Sequence, residues 1–222
     1  MKTNLCFVLA TFCLHFTLLA SGGEEYEKKM KATLAKMEDF SSVETVIETA
    51  RQFAKIGEAE KGEWLPWYYH ANAYIILIYM DSTATLEEKD QYLDTAATSV
   101  RKILEQHPEE AEIHPQRRPL LHAWYLVSRI GLDPTTRGAQ YYDTYTQAIN
   151  KADQLEPQNP RVRFFKIASA IGEAQYAGQT VAPYCPKLQV LLDEWDNYEP
   201  KSSMHPDWGK EEVKKKLAEI CQ

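Results

Sequence analysis

The chain has 222 residues, with 25 Lys and Arg residues against 32 Asp and Glu residues and a formal net charge of −7. This acidic balance disfavours nucleic acid as a partner, because binding to a phosphate backbone requires a clustered basic face. Without the N-terminal segment described next, about 200 residues remain, which is enough for one domain with a sizeable hydrophobic core.

The N-terminus has the three-part layout of a secretory signal peptide. Lys2 precedes an apolar run from Leu5 to Leu19, and four small residues follow. The run is shorter than the ~20 apolar residues that cross a bilayer, so it favours cleavage over a permanent anchor. We therefore predict a signal peptide at residues 1–22 and a single all-helical domain at residues 23–222. We expect the protein to be exported, periplasmic or secreted, with no transmembrane segment after signal removal.

Most of the chain after residue 23 carries an apolar or small residue at every third or fourth position, the spacing of one helix face. No sustained alternation of apolar and polar residues predicts a strand, so the expected fold class is all-α. Capping boxes, in which Ser or Thr is followed three residues later by Glu, begin at Ser41 and Thr85. In chain order, helices are predicted over 24–37, from 41 toward 57, and over 64–78, 86–106, 120–130, 140–155, 160–171, 187–195 and 210–220.

Proline-containing turns separate several of these helices. The prolines within residues 114–119 predict a kink or two short helices, because an interior proline removes a helical hydrogen bond. Residues 133–138 have the composition of a turn, in which Asp133 suits the N-cap and Pro134 the first helical position. Glycine and prolines predict a loop over residues 178–186.

One pattern of residues recurs after 49 positions in the sequence. The pattern A-x3-V-x2-I-x4-P at residues 96–108 is followed by Y-x3-I-x2-A-x4-P at residues 145–157, and each copy ends a predicted helix at a proline. Ahead of the first copy, W-x2-H-A-x2-Y at residues 67–74 has the spacing of the first helix of a tetratricopeptide (TPR) repeat. The clearest repeats are predicted at about 64–108 and 120–157, with an irregular C-terminal part at 175–222.

Four further segments carry a family resemblance: W-L-P-W-Y-Y at 64–69, D-P-T-T-R-G at 133–138, E-P-Q-N-P-R at 156–161 and H-P-D-W-G at 205–209. With these segments the chain resembles TPR-like proteins, and most closely the small exported bacterial TPR-like proteins without an assigned activity. The resemblance implies helix-turn-helix repeats that form a short solenoid, closed by a C-terminal capping helix.

Common motifs of catalytic and metal sites do not occur in the sequence. There is no G-x-S-x-G, no glycine-rich phosphate loop, no C-x-x-C and no H-E-x-x-H. The His and Glu residues at 107–114 straddle a proline turn and are better explained as a solvated helix start than as metal ligands. We therefore predict no enzyme activity, no catalytic residue, no cofactor and no metal.

Two of the four cysteines lie in the predicted signal peptide, so Cys185 and Cys221 are the ones that remain after cleavage. In an oxidising compartment these two residues are a candidate disulfide. The alternative is two independent, partly buried thiols. The choice depends on whether the two Cα atoms approach within the ~4.4–6.8 Å that a bridge requires.

The sequence is compatible with three functions. The leading hypothesis is an exported interaction module or scaffold for an unidentified protein or peptide, bound along the first helices of successive pairs. The alternative is a helical binding protein for a small molecule or glycan, which requires an aromatic-lined pocket. An enzyme would need clustered acid and base groups that are far apart in the sequence. The candidate partner-binding surface comprises Tyr69, Asn72, Ile76, His122 and Arg129. Aromatic residues that could serve the alternative include Trp64, Trp67, Tyr68, Tyr74, Tyr141, Tyr142 and Tyr145.

Overall fold

The computed structural model describes residues 23–106 and 118–221. These ranges fold into α-helices with two short 3-10 helices, at Ala35–Asp39 and Ala182–Tyr184, and they contain no strand, which confirms the all-α class. The predicted signal peptide at 1–22 and the His- and Glu-containing segment at 107–114 lie outside the described residues. The helices are α1 (23–34), α2 (Val43–Ala59), α3 (Leu65–Met80), α4 (Leu86–Gln106), α5 (Arg118–Leu132), α6 (Pro134–Leu155), α7 (Pro160–Tyr176), α8 (Cys185–Trp195) and α9 (Lys210–Ile220).

Side-chain caps mark the starts of α2 and α4. At α2 the cap lies one residue later than predicted, since the hydroxyl of Ser42 rather than Ser41 accepts a hydrogen bond from the Thr45 N–H at 3.2 Å. At α4 the predicted capping box is confirmed. The Glu88 N–H donates to the Thr85 hydroxyl at 3.2 Å, and the Thr85 N–H donates to the Glu88 carboxylate at 2.8 Å. Both caps satisfy amide groups that the first helical turn leaves unpaired.

Helix α6 begins six residues earlier than the predicted start at residue 140. The Asp133 carboxylate accepts a hydrogen bond from the backbone N–H three residues later at 3.2 Å, and Pro134 opens the helix. The expected turn at 133–138 is therefore an N-cap followed by the first helical turn. Gly138 does not end the helix, because an interior glycine costs only about 1 kcal/mol relative to alanine.

Helix α3 is the centre of the N-terminal half, where it packs between α2 and α4. Its own apolar side chains lie on all faces of the helix, and the consecutive aromatic residues Trp67, Tyr68 and Tyr69 are all buried. The Tyr69 ring stacks on Phe53 of α2 with the ring centroids 5.3 Å apart. Trp67 lies directly over Gly57 of α2, where an added Cβ atom would be 2.6 Å from the indole ring.

The segment 199–208, which we call the return segment, leads from α8 back to α3, α5 and α7. The Tyr69 hydroxyl donates a hydrogen bond to the Met204 carbonyl at 2.9 Å, and the Trp208 indole N–H donates to the Tyr68 hydroxyl at 2.8 Å. Trp208 also packs against aromatic rings of α5 and α7. The return segment therefore joins the C-terminal part of the chain to the N-terminal core.

Helices α8 and α9 pack against each other and close the C-terminal end of the fold. A disulfide joins Cys185 at the start of α8 to Cys221 just after α9, with the Cα atoms 5.8 Å apart. Gly209 precedes α9 at φ 119°, a conformation that favours glycine, and Trp195 lies so close that a Cβ atom there would be 2.6 Å from its ring.

Candidate ligand-binding groove

Helices α5, α6 and α7 border an open groove with a volume of about 920 Å³. Val127 and Ile130 line it from α5, and Phe164 and Phe165 line it from α7. The lining is mainly apolar. Its size falls in the range of sites for small organic ligands, about 300–1,000 Å³.

Small residues on α6 and α7 leave open space in the groove. Gly138 on α6 and Gly172 on α7 both line it, and a Cβ atom built at either position would meet no atom within 4 Å. Ala139 and Ala168, which also line the groove, add only methyl groups. A ligand can therefore approach the backbone of both helices at these positions.

Tyr145 lies in the floor of the groove and is only 4% exposed. Its hydroxyl forms a hydrogen bond with the Ser169 hydroxyl, which donates in turn to the Phe165 carbonyl at 2.8 Å. Burial raises the pKa of Tyr145, so its side chain is a neutral phenol at physiological pH. The hydroxyl is thus occupied in holding α6 against α7.

Tyr142, nearly one helical turn before Tyr145, lines the same groove with 38% of its surface exposed. Its hydroxyl donates a hydrogen bond to the Glu173 carboxylate of α7. Burial, together with this hydrogen bond, raises the pKa of Tyr142 to about 12. The groove thus contains a protonated phenol in direct contact with a carboxylate.

Tyr176 stands at the C-terminal end of α7, where 97% of its surface is exposed although it also lines the groove. A ring this exposed buries almost no apolar area and so contributes little to folding. A tyrosine offers an apolar ring face for packing and a hydroxyl for hydrogen bonding. Tyr176 is therefore available to contact a molecule in the groove.

The charged groups of the lining are acidic. Asp143 and Glu173 contribute carboxylates, and no Lys, Arg or His is found among the described residues that line the groove. An anionic ligand would have to keep its charged groups in solvent, because burying a charge without a partner is costly.

Of the five residues expected to form a partner-binding surface, those on α3 are placed in or near the core. Tyr69 and Asn72 are 6% and 2% exposed, and Ile76 is half-buried. The physical reason is that α3 is packed on two sides, by α2 and α4. The structure thus corrects the expectation that Tyr69 and Asn72 form an accessible surface.

The other two expected residues, His122 and Arg129, lie on α5 outside the groove lining. The His122 ring stacks on Tyr125 with the ring centroids 6.1 Å apart, and burial lowers its pKa. The Arg129 guanidinium pairs with the Asp90 carboxylate at 3.4 Å and with that of Asp94. These ion pairs fasten α5 to α4, so Arg129 is engaged within the protein.

No group of three or more His, Cys, Asp or Glu side chains in residues 23–106 and 118–221 is arranged to hold a metal ion. Among the helices of these ranges, none combines the length and apolar character needed to span a bilayer.

Comparison with known proteins bears on the fold. No protein-family model matches the chain, and no curated protein matches it by sequence. Among solved structures, the chain is similar to the HusA haemophore from Porphyromonas gingivalis, with a TM-score of 0.68 and 21% sequence identity. The match covers 88% of this chain and 92% of the HusA chain. At this identity the likeness establishes a shared helical fold, and the TPR-like assignment stays a prediction.

Proposed function

We propose that the protein is an exported, non-catalytic binding protein for a flat porphyrin ligand of the haem class, held in the groove between α5, α6 and α7. The observation that carries the proposal is the groove itself, which is mainly apolar, about 920 Å³ in volume and lined by Tyr142, Tyr145 and Tyr176. A porphyrin ring is flat, aromatic and largely apolar, so such a lining suits it. The fold shared with a haemophore adds support.

The polar groups of the lining are compatible with such a ligand. Tyrosine is a known iron ligand in haem proteins, and three tyrosines line the groove. The carboxylates of Asp143 and Glu173 disfavour burial of the acidic side groups of haem. The ring would therefore enter with those groups directed to solvent at the open side.

Two ligands expected from the sequence suit this site less well. A glycan needs many hydrogen-bonding partners when it leaves water, whereas the lining is mainly apolar. A protein or peptide along α3 would need Tyr69 and Asn72 at the surface, and both are buried.

Titration of the full exported protein with ferric protoporphyrin IX tests the proposal. We expect saturable binding at one site, followed by the Soret absorbance and by quenching of tryptophan fluorescence. Gly172→Leu should weaken the binding at least about tenfold, a loss of roughly 1.4 kcal/mol, because the new side chain would project from α7 into the open groove.

Gly131→Leu is the matched control for this substitution. Gly131 is an exposed glycine of α5 that lies outside the groove lining, and an added Cβ atom there also meets nothing within 4 Å. This variant should bind porphyrin as the wild type does, and circular dichroism should show that both variants are folded. Absence of saturable binding, or equal binding by Gly172→Leu and Gly131→Leu, would contradict the proposal.

A further inference from the structure

Tyr176 differs from the other two tyrosines of the groove in having no role in the packing of the helices. The hydroxyls of Tyr142 and Tyr145 are both bonded to side chains of α7, so these two residues join α6 to α7. Tyr176 leaves 97% of its surface in solvent, and its side chain has no bonded or ring partner among the described residues. Its ring is therefore available to a molecule that enters the groove.

The other aromatic rings of the lining are already packed within the protein. Phe164 and Phe165 meet edge to face with their ring centroids 6.2 Å apart. The rings of Tyr142 and Tyr145 are also 6.2 Å apart. Among the described residues of the lining, Tyr176 is thus the aromatic residue that can present a whole ring face to a ligand.

A C-terminal cap of α7 holds the backbone at Tyr176 in place. The Gln179 N–H donates to the Ala174 carbonyl at 2.7 Å. The Gly178 N–H donates to the Gln175 carbonyl at 3.1 Å, and Gly178 has φ 66°. These features form a Schellman motif, in which a left-handed residue ends the helix. The motif fixes the backbone of Tyr176, so only its two side-chain torsions must be ordered on binding, at a small entropic cost.

The position of Tyr176 on α7 places it beside the open space at Gly172. Residues four apart are neighbours on one helix face, and both residues line the groove. Helical side chains point toward the N-terminus of the helix, which for Tyr176 is the direction of Gly172. A Cβ atom built at Gly172 would meet no atom within 4 Å. A ligand in this space would therefore have the Tyr176 ring next to it.

We infer that Tyr176 is a specificity-determining residue of the groove, whose ring stacks on the flat ring of the bound porphyrin. The inference rests on the proposed function and names the residue that favours a flat ligand. Aliphatic side chains of the lining, such as Val127 and Ile130, attract apolar ligands of any shape. A stacked aromatic pair gains more than the burial of its apolar area, so Tyr176 favours a flat aromatic ligand over an aliphatic one.

Porphyrin titrations of three Tyr176 variants test the inference. Tyr176→Ala removes the ring, so affinity should fall about tenfold for both ferric and metal-free protoporphyrin IX, because stacking acts on the porphyrin ring. Tyr176→Phe keeps the ring and should rescue the affinity to within about twofold of the wild type. Tyr176→Leu keeps an apolar side chain without a flat face and should bind at least about threefold more weakly than Tyr176→Phe.

Gln175→Ala is the matched control for these variants. Gln175 is the exposed neighbour of Tyr176 on α7, and its side chain lies outside the groove lining. This variant should bind porphyrin as the wild type does, and circular dichroism should show that all four variants are folded.

Hydroxyl-radical footprinting of the wild type measures the contact directly. The radical modifies exposed side chains, and mass spectrometry gives the extent of modification at each tyrosine. Saturating metal-free protoporphyrin IX should lower the modification of Tyr176 several-fold, because the ligand covers its ring. Tyr79 is the internal reference, since it is 67% exposed and lies outside the groove lining. Its modification should stay the same.

The outcomes separate the inference from the function on which it rests. Unchanged affinity in Tyr176→Ala, an equal loss in Gln175→Ala, or equal protection of Tyr176 and Tyr79 would overturn the role of Tyr176 while leaving porphyrin binding in place. Equal affinity of Tyr176→Leu and Tyr176→Phe would overturn stacking, and so would a loss confined to the ferric porphyrin. Failure of the wild type to bind either porphyrin would instead remove the proposed function.

Discussion

His70 lies between α3 and α4 in a largely buried polar site. Its Nδ1 atom is 2.6 Å from the Ser99 hydroxyl, and its ring packs near those of Trp67 and Tyr74. Burial, followed by the positive charge of Lys102, lowers the pKa of His70 from 6.5 to about 4. The imidazole is therefore neutral in the folded protein at physiological pH.

Acidification should destabilise the protein through His70. Because its pKa is lower in the folded than in the unfolded chain, the unfolded state binds more protons as the pH falls from 6.5 toward about 4. We expect this residue to lower the free energy of unfolding by about 1–2 kcal/mol between pH 7 and pH 5. Urea unfolding of the wild type at both pH values measures the change.

His70→Gln provides the comparison, because glutamine does not titrate. The difference between pH 7 and pH 5 should shrink in this variant, and some should remain because burial lowers the pKa of His122 in the same direction. Equal pH dependence in His70→Gln and the wild type would show that His70 does not carry the effect.

Part of the candidate site could be anticipated at the level of single residues. Tyr142 and Tyr145 are among the aromatic residues that could serve a ligand pocket in the alternative hypothesis, and both line the groove. The contact between Tyr142 and Glu173 could not be anticipated, because the two residues are 31 positions apart on different helices. The prediction that Tyr69 forms part of a binding surface was wrong, because the residue type alone does not decide the location. A tyrosine suits a binding surface and a core equally well.

At the scale of secondary-structure elements, Gly57 of α2 lies directly against the Trp67 ring of α3. An added Cβ atom at Gly57 would lie 2.6 Å from the indole ring, closer than two carbon atoms can pack without movement. Glycine is required here for the close approach of the two helices, although it lowers the intrinsic stability of α2.

Gly57→Ala should therefore destabilise the protein by about 1–3 kcal/mol, because Trp67 must shift within a packed core. The matched substitution Gly131→Ala should instead stabilise it by roughly 0.5–1 kcal/mol, since its Cβ atom meets nothing within 4 Å and alanine favours the helix. Denaturant unfolding of the two variants measures both effects. The same sign of change in both would contradict this account of the helix contact.

Helix boundaries were predictable only in part, even where a side chain caps the helix. The capping box of Thr85 and Glu88 located the start of α4 correctly. Helix α7 was predicted to open at Pro160 and to carry apolar residues as far as Ile171, with a loop from residue 178, and it runs to Tyr176. The apolar pattern fades before the helix does, because Ala168 and Gly172 face an open groove rather than a core.

At the scale of the whole molecule, the return segment gives the fold its long-range connections. Its hydrogen bonds join Tyr69 to Met204 and Tyr68 to Trp208, over separations of 135 and 140 residues. The buried Arg161 of α7 donates to the Pro206 carbonyl of the same segment. Local sequence patterns carry no information about such long-range contacts. The packing of the return segment against α3 was therefore not predicted.

The disulfide also acts at this scale, because it spans 36 residues that include most of α8, the return segment and α9. Replacing both Cys185 and Cys221 by serine should lower the free energy of unfolding by roughly 2–4 kcal/mol, since the unfolded chain regains conformational freedom. Porphyrin binding to the folded variant should persist, because α5, α6 and α7 form the groove. Thermal unfolding with and without a reductant measures the effect, and the reduced wild type should match the double variant. Equal unfolding temperatures in all three would argue against a stabilising bridge.

The two glycines of the groove also determine how its specificity can change. Glycine has no side chain to lose, so no substitution at Gly138 or Gly172 can widen the groove. At that point the width depends on the spacing between the backbones of α6 and α7. At these two positions a single substitution is enough to narrow the groove, whereas widening it there requires the displacement of a whole helix. Substitutions at Gly138 and Gly172 can therefore favour smaller ligands but not larger ones.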